Sequence, residues 1–480
     1  MINNNNSIKQ SFFWTFGERL ASQVVATIVT IILARLLSPS DYGVIAIVTV
    51  FITFCNVFIN SGMSSSLVQK ESIRKDDFNT AFFISLMIAI LMYGVLYFLA
   101  PRIAFFYNNQ QLISLIRIMS LCFPIAAFNT IQQAYVQRSM NFKRFFVATS
   151  IGSLSSGILG VIAAIYDAGV WALVIQYMSN IIINTIVLFF IVKWVPKFRF
   201  SMDSAKKIFN FGWKVLVTEI VFTLSSDIKS LVIGKNFGYV DLAYYDQGSK
   251  YPAFITNNIT SAINKVMLPA YSRSQNNMEK LKEMFRKCNV VGIYLLAPIL
   301  LGFAASSDNF INIILTEKWL DCKIYIQIFC LYYVTRPWES SCHQALLAIG
   351  RSDVVLKIII MINIVILFFV FFTAFALHNV LLIAVGYLMS TIVSIICFMV
   401  YVDKLINYKI KDQINDVLPS LLASVLMAIV VYFIRKILGI SILSLIIQIL
   451  VGILVYAITS IIFKLKGFKY IRKILANNIF

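Results

Sequence analysis

The chain has 480 residues, 60% of them hydrophobic and 13% charged, with a formal net charge of +20 and a mean hydropathy of +0.84. No polar stretch is long enough to make a separate soluble domain, so the composition is that of an integral membrane protein. Phenylalanine is abundant, glycine and proline are modest and alternating strand segments are lacking, which excludes an outer-membrane barrel and leaves helices to satisfy the backbone.

At about 20 residues per crossing, fourteen apolar segments follow one another: 12–36, 42–68, 78–99, 112–136, 145–165, 170–192, 209–233, 242–268, 288–305, 324–349, 358–376, 380–402, 417–433 and 440–463. No small-residue cleavage site follows the first, which is expected to remain as a helix and not to be a removed signal peptide. Basic residues gather before the first segment, after each even-numbered one and in the tail. The opposite connections hold only Arg35, Arg102, Lys235, Lys318, Lys323, Arg435 and Lys436. Because basic loops stay in the cytoplasm, both termini are expected there, which requires an even number of crossings. The positive charge is then mostly topology, and short basic loops without interleaved aromatics argue against a nucleic-acid partner. The tail 464–480 suits either an amphipathic helix on anionic membrane lipids or a plain solvated end. Seven scattered cysteines and two histidines show no metal or redox spacing and read as apolar filler.

A faint internal repeat runs along the chain. Shifted by about 200 residues, "LARLLSPSDY" lies over "IGKNFGYVDL", with Arg35 over Lys235 and Asp41 over Asp241. Six helices, six more and a terminal pair is the simplest parse: an N-lobe at 1–205, a C-lobe at 206–410, and 411–480 for the last two helices and the basic tail. Six is even, so the repeat is parallel, and transporters commonly place their site between such halves.

The seventh segment, "KVLVTEIVFTLSSDIKSLVIGK", keeps Glu219, Asp227 and Lys229 between its ends. At about 3 kcal/mol each, three central charges cancel the insertion energy of about fifteen apolar residues. Helical spacing gathers Val217, Ile220, Val221, Leu224, Ile228 and Leu231 on one arc and the charges and hydroxyls on the other. One face is expected to meet lipid and the other something wet. The eighth segment repeats the pattern with Asp246, Lys250, Asn257, Ser261 and Asn264, and the second with Thr49, Thr53, Asn56 and Asn60. The first adds Glu18 and Arg19, and the tenth adds Arg336 and Glu339. Intramembrane ionisable groups usually line a solvent-filled path. Here the bases Arg19, Arg117, Lys214, Lys229, Lys250, Lys265 and Arg336 outnumber the acids Glu18, Glu219, Asp227, Asp246 and Glu339, so the path is expected to be basic. Arg336 and Glu339 equally suit a structural i,i+3 pair, Arg117 and Lys214 lie near enough to helix ends to snorkel, and the Asn and Ser positions also suit helix–helix contacts.

In order along the chain, "LARLLSPSDYGVIAIVTVFITFCNVFINSGMSSSLVQK", "FNTAFFISLM", "MNFKRFFVATSIGS", "GVWALVIQYM", "FGWKVL", "LVIGKNFGYVDLAYYDQGSKYP" and "LPAYSRSQ" resemble the polysaccharide transporter branch of the MOP (multidrug, oligosaccharidyl-lipid, polysaccharide) superfamily, the Wzx-type flippases. The resemblance implies an all-α polytopic protein with two six-helix lobes in a V around a central cavity. It also implies alternating access in a bacterial inner membrane and a polyprenyl-diphosphate-linked oligosaccharide, of the undecaprenyl type, as cargo. A polysaccharide polymerase and a chain-length regulator are the partners such a pathway implies. Arg19, Lys229, Lys250 and Arg336 are candidates for holding the diphosphate, and Asn56, Asn60, Asn257, Ser261 and Asn264 for meeting the sugars. Glu18, Glu219, Asp227, Asp246 and Glu339 are candidates for coupling to Na⁺ or H⁺; no other cofactor is expected. Departing from the family pattern, "SGMSSSLVQK" and "DLAYYDQ" are more polar or poorer in glycine. A drug/cation antiporter of the same superfamily is the alternative, which wants an acidic path. A polymerase or acyltransferase wants a large external loop or a catalytic histidine with a carboxylate, so no enzyme is expected.

Overall fold

The computed structural model describes residues 23, 25–60, 67, 75–138, 142–192, 194–274 and 277–477, and every regular element among them is helical. The first half contains α1 (Val25–Leu36), α2 (Pro39–Asn60), α3 (Lys75–Phe106), α4 (Gln111–Ser120), α5 (Cys122–Arg138), α6 (Phe142–Ile165), α7 (Val170–Val192) and α8 (Met202–Asn236). There follow α9 (Tyr239–Arg273), α10 (Met278–Ala305), α11 (Ser307–Phe310), α12 (Lys323–Tyr333), α13 (Arg336–Ala348), α14 (Ser352–Phe372), α15 (Val380–Ile406), α16 (Ile410–Leu438), α17 (Ile442–Ile462) and α18 (Lys466–Asn477).

Ten helices among the described residues are long and apolar enough to cross a membrane, with α4 and α5 acting as one span. The remaining four expected segments fall on identifiable exceptions. The first is α1, whose preceding residues lie outside the described chain. The seventh and eighth are α8 and α9, each 35 residues long and laden with charges. The tenth is broken at Val334 and Thr335 into the short helices α12 and α13, the second entered through Pro337 in its first turn.

Local chemistry sets the helix ends. In "SPSD" the Ser38 backbone N–H donates to Asp41 Oδ2 at 3.0 Å, and the Asp41 N–H donates back to Ser38 Oγ at 3.3 Å. This reciprocal box starts α2, with Pro39 in its first turn. Two hundred residues later Gly238, at φ 99°, turns the chain from α8 into α9, a conformation that suits glycine. Helix ends at Leu36 and Asn236 and helix starts at Pro39 and Tyr239 therefore keep the 200-residue shift read from the sequence. The two junctions also touch: a Cβ on Gly43 would lie 1.8 Å from the Tyr239 carbonyl oxygen. Tyr239 Oη donates to the Tyr107 carbonyl at 3.1 Å, and Tyr107 Oη to that of Leu231, also at 3.1 Å.

The chain divides into two compact units, Met1–Leu242 and Ala243–Phe480. The expected lobe boundary at 205/206 would have put α8 in the second, whereas its bonds run to the first. The Ser204 hydroxyl donates to the buried Asp77 carboxylate at 2.6 Å, and the N–H groups of Lys197 and Ser201 donate to Asn79 Oδ1 and Thr80 Oγ1, both at 3.0 Å. The start of α8 and its lead-in are thereby fastened to α3.

Inside the second unit two buried carboxylates gather charges that the sequence had assigned to loops. Asp416 on α16, its side chain fully buried, accepts from Arg286 of α10, Lys466 of α18 and Tyr408 Oη. Asp308 accepts from Lys323 and Arg435, both at 2.8 Å. Beside it Asn309 Nδ2 donates to Gln448 Oε1 at 2.7 Å and Ser444 Oγ at 3.0 Å. The C-terminal helix packs as well: Phe468 and Ile471 lie against a cluster that holds Tyr294, Met427 and Tyr456.

Candidate transport-path residues

Of the candidate site residues, Glu18 and Arg19 lie outside the described residues. On α8, Glu219 is exposed while Asp227 and Lys229 are half-buried. Ser226 Oγ donates to Asp227 Oδ1 at 3.1 Å. The two arcs predicted for α8 are only partly separate. Val217, Val221 and Leu224 are exposed, as a lipid face requires, but Leu224, Ile228 and Leu231 join Thr223 and Asp227 along an otherwise apolar cavity of about 470 Å³ against α2 and α3. Thr223 and Ser230 from the polar arc are buried. Part of that arc is therefore packed inside the first unit.

On α9, Lys250 is exposed one turn after the half-buried Asp246, and Asn257 is exposed two turns further on. Gly248 lets this helix lie on α12, since a Cβ there would come within 2.3 Å of the Tyr325 Cβ. Ser261 and Asn264 are half-buried. Ser261 Oγ donates to its own helix at Asn258, and Asn264 Oδ1 accepts from Ser340 Oγ of α13 at 2.6 Å. Arg336 and the buried Glu339 form an ion pair at 3.3 Å. The guanidinium lies 4.7 Å above the Tyr332 ring and 5.9 Å from that of Tyr333, and Thr335 Oγ1 reaches Glu339. The structural pairing allowed by the i,i+3 spacing is thus the one this geometry shows. Arg117 lies 4.0 Å over the Tyr97 ring and donates to the Tyr97 carbonyl, and the side chains of Lys214 and Lys265 are outside the described set.

Asn56 and Asn60 come together. With Thr53 they line a cavity of about 480 Å³ in the first unit, completed by Asn129, Thr130 and Gln133 of α5 and Asn180 and Asn184 of α7. None of these last five was among the candidate site residues read from the sequence. The available signal was the i,i+4 spacing of Asn129/Gln133 and of Asn180/Asn184, which puts each pair on one helix face, but both segments are so apolar otherwise that a hydropathy window hides it. A second cavity, about 460 Å³ and nearly all apolar, lies in the second unit among α10, α16 and α17. It is bordered by the exposed Ile299, Ile449 and Ile453. Among the described residues no group of three or more His, Cys, Asp or Glu side chains is placed to hold a metal ion, and all seven cysteines are free.

Ten helices long and apolar enough to cross a bilayer define a multi-pass helical membrane protein. Its backbone resembles a lipid II flippase, MurJ, in an inward closed conformation: TM-score 0.75 at 16% identity, covering 95% of this chain and 98% of that one. An inward-facing multidrug resistance MATE transporter of the MOP superfamily aligns with a TM-score of 0.59 at 15% identity, over 80% of this chain and 96% of that one. The fold is therefore of the MurJ/MATE type.

Residues 32–324 match the family model described as "Polysaccharide biosynthesis protein", and the chain belongs to that family. The expected resemblance to the polysaccharide branch of the MOP superfamily is met. Among similar proteins are the succinoglycan biosynthesis transport protein ExoT of Rhizobium meliloti, 22% identical over 66% of this chain and 64% of that protein. The lipopolysaccharide biosynthesis protein WzxC of Escherichia coli is 23% identical over 68% and 67%. The teichuronic acid biosynthesis protein TuaB of Bacillus subtilis is 22% identical over 71% of each. The alignment thus spans under two thirds of ExoT.

Proposed function

We propose that this protein is a flippase that moves polyprenyl-diphosphate-linked oligosaccharide from the cytoplasmic to the periplasmic leaflet of a bacterial inner membrane by alternating access, drawing on a Na⁺ or H⁺ gradient. In this reading α1, α8, α9 and the broken α12–α13 also cross the bilayer, which brings the crossings to the fourteen expected from the sequence, and both termini are cytoplasmic. Family membership and the names of relatives that serve succinoglycan, teichuronic acid and lipopolysaccharide synthesis support the substrate class.

The observation that carries the reading is Lys250, an exposed lysine in the polar stripe of α9. Moving a diphosphate, with about two negative charges, through a low dielectric is prohibitive without compensation. Lys250 and Lys229 supply that compensation, and Arg19 is the third candidate. Arg336 is the weakest of the four, because Glu339 already holds it. Glu219, Asp227 and Asp246 remain the coupling candidates, each able to re-neutralise a lysine when the substrate leaves. The apolar cavity among α10, α16 and α17, open past Ile299, Ile449 and Ile453, suits part of the prenyl chain. The antiporter alternative shares the fold and would draw on Glu219, Asp227 and Asp246, acids that here share their helices with Lys229 and Lys250.

Replacing Lys229 and Lys250 together by Ala tests the reading. The variant is expected to insert at the wild-type level, to lose transport of lipid-linked oligosaccharide by at least about tenfold, the effect of ~1.4 kcal/mol, and to let the lipid intermediate accumulate in cells. Normal transport by the double variant removes charge compensation from the mechanism.

A further inference from the structure

The 480 Å³ cavity of the first unit is lined by ten residues, none of them charged, and six carry carboxamides: Asn56, Asn60, Asn129, Gln133, Asn180 and Asn184. Such density inside otherwise apolar spans is costly unless each group is satisfied. Some are. Asn129 Nδ2 donates to Asn184 Oδ1 at 3.0 Å and to Thr185 Oγ1 at 2.9 Å, and Gln133 Nε2 donates back to Asn129 Oδ1. Thr130 donates to Asn60 Oδ1, and Asn180 Nδ2 to Ser156 Oγ.

What is left over is informative. Among the described residues, the Nδ2 groups of Asn60 and Asn184 make no hydrogen bond, nor do Gln133 Oε1 and Asn180 Oδ1. Asn56 Oδ1 is buried with no partner. The cavity thus offers two amide donors and two carbonyl acceptors, fixed by a relay through Asn129, with the buried Asn56 Oδ1 behind them. An anion needs donors or cations throughout, and a metal cation needs acceptors throughout. A sugar hydroxyl is both donor and acceptor, so a ring bearing several of them uses such a mixture. The volume lies within the ~300–1,000 Å³ of small-molecule sites. Were the carboxamides only gluing helices together, the pattern would close on itself; instead it ends on open valences at a cavity.

We propose that this cavity is a glycan subsite, which recognises the uncharged sugar rings of the lipid-linked cargo through Asn60, Gln133, Asn180 and Asn184, held in place by Asn129, and leaves the diphosphate to lysines elsewhere. The inference rests on the flippase reading above and assigns the sugar-recognition part of it to the first unit.

The test measures binding to the full-length protein in nanodiscs with three probes: undecaprenyl diphosphate, the same lipid carrying glucose, and the same lipid carrying N-acetylglucosamine. Wild-type protein is expected to bind at least one sugar-bearing lipid about fivefold more tightly than the bare diphosphate, the effect of one net hydrogen bond. Asn129→Leu/Gln133→Leu should bring that ratio close to one. Asn60→Ala, at an exposed position where truncation leaves no sealed void, should lower the ratio even if the double variant fails to fold. A wild-type ratio near one with both sugars, or a ratio unchanged in Asn60→Ala, overturns the glycan subsite while leaving the flippase reading intact. If none of the three lipids binds wild-type protein, the flippase reading itself fails and the subsite with it.

Discussion

Asp416 shows how a single side chain can reassign charges that the sequence attributes to topology. Its fully buried carboxylate binds Arg286 and Lys466, whose side chains are 36% and 47% exposed. Breaking a fully buried pair costs about 3–5 kcal/mol, and partial exposure of the cations reduces this to about 1–3 kcal/mol for Asp416→Ala. A thermal melt in detergent followed by size exclusion should show that loss as a lower Tm. Glu283→Ala, which removes an exposed i,i+4 pair with Lys287, should leave the Tm where it is. Arg336 and Glu339 give a second residue-scale prediction. If the pair is structural, Glu339→Leu alone should destabilise more than Arg336→Met/Glu339→Leu, because the single change leaves a half-buried guanidinium without its carboxylate partner. The same melt reads the order, and equal effects would return Arg336 to the transport path. The spacing of this pair, and of Tyr332 four residues before the arginine, was legible in the sequence; that the guanidinium lies over that ring was not, because α12 and α13 bend at Thr335 between the two.

At the scale of elements, the backbone contact at Gly43 makes α2 and the start of α9 one packed unit. Gly43→Ala places a methyl carbon 1.8 Å from the Tyr239 oxygen, where backbone and not a flexible side chain must yield. Overpacking of this kind costs about 1–3 kcal/mol, so reduced folded yield and a lower Tm are expected; Gly94→Ala, with nothing within 4 Å of its added carbon, is the matched control. The C-terminal helix α18 illustrates a choice the sequence left open between a membrane-surface helix and a solvated end. Leu465 is buried, Phe468 and Ile471 lie on the Tyr294 and Tyr456 cluster, and Lys466 reaches Asp416. Amphipathic spacing announced an apolar stripe, yet only the packed partner on α10 shows what covers it. Truncation after residue 463 should therefore destabilise the second unit in detergent, where no leaflet is present to substitute.

For the whole molecule, the asymmetry of Lys and Arg between alternate connections predicts the sidedness of every loop. Alkaline phosphatase fused after Lys318 should be active and after Lys404 inactive; the reverse pattern would invert the topology. That asymmetry, the apolar segments, the 200-residue shift and the family resemblance were all present in the order of residues, because insertion responds to local hydropathy and charge, which are additive along a chain. Which polar groups meet was not. The Asn129–Asn184 and Asp308–Arg435 contacts join residues far apart in sequence, and a hydrogen bond or ion pair depends on distances of a few ångströms that helix packing alone sets. The linear sequence thus determined a multi-pass helical protein and the helix faces that carry its polar groups. Tertiary structure decided which of those groups are consumed by one another and which, like Lys250 and the open carboxamides of the first unit, still present valences to a ligand.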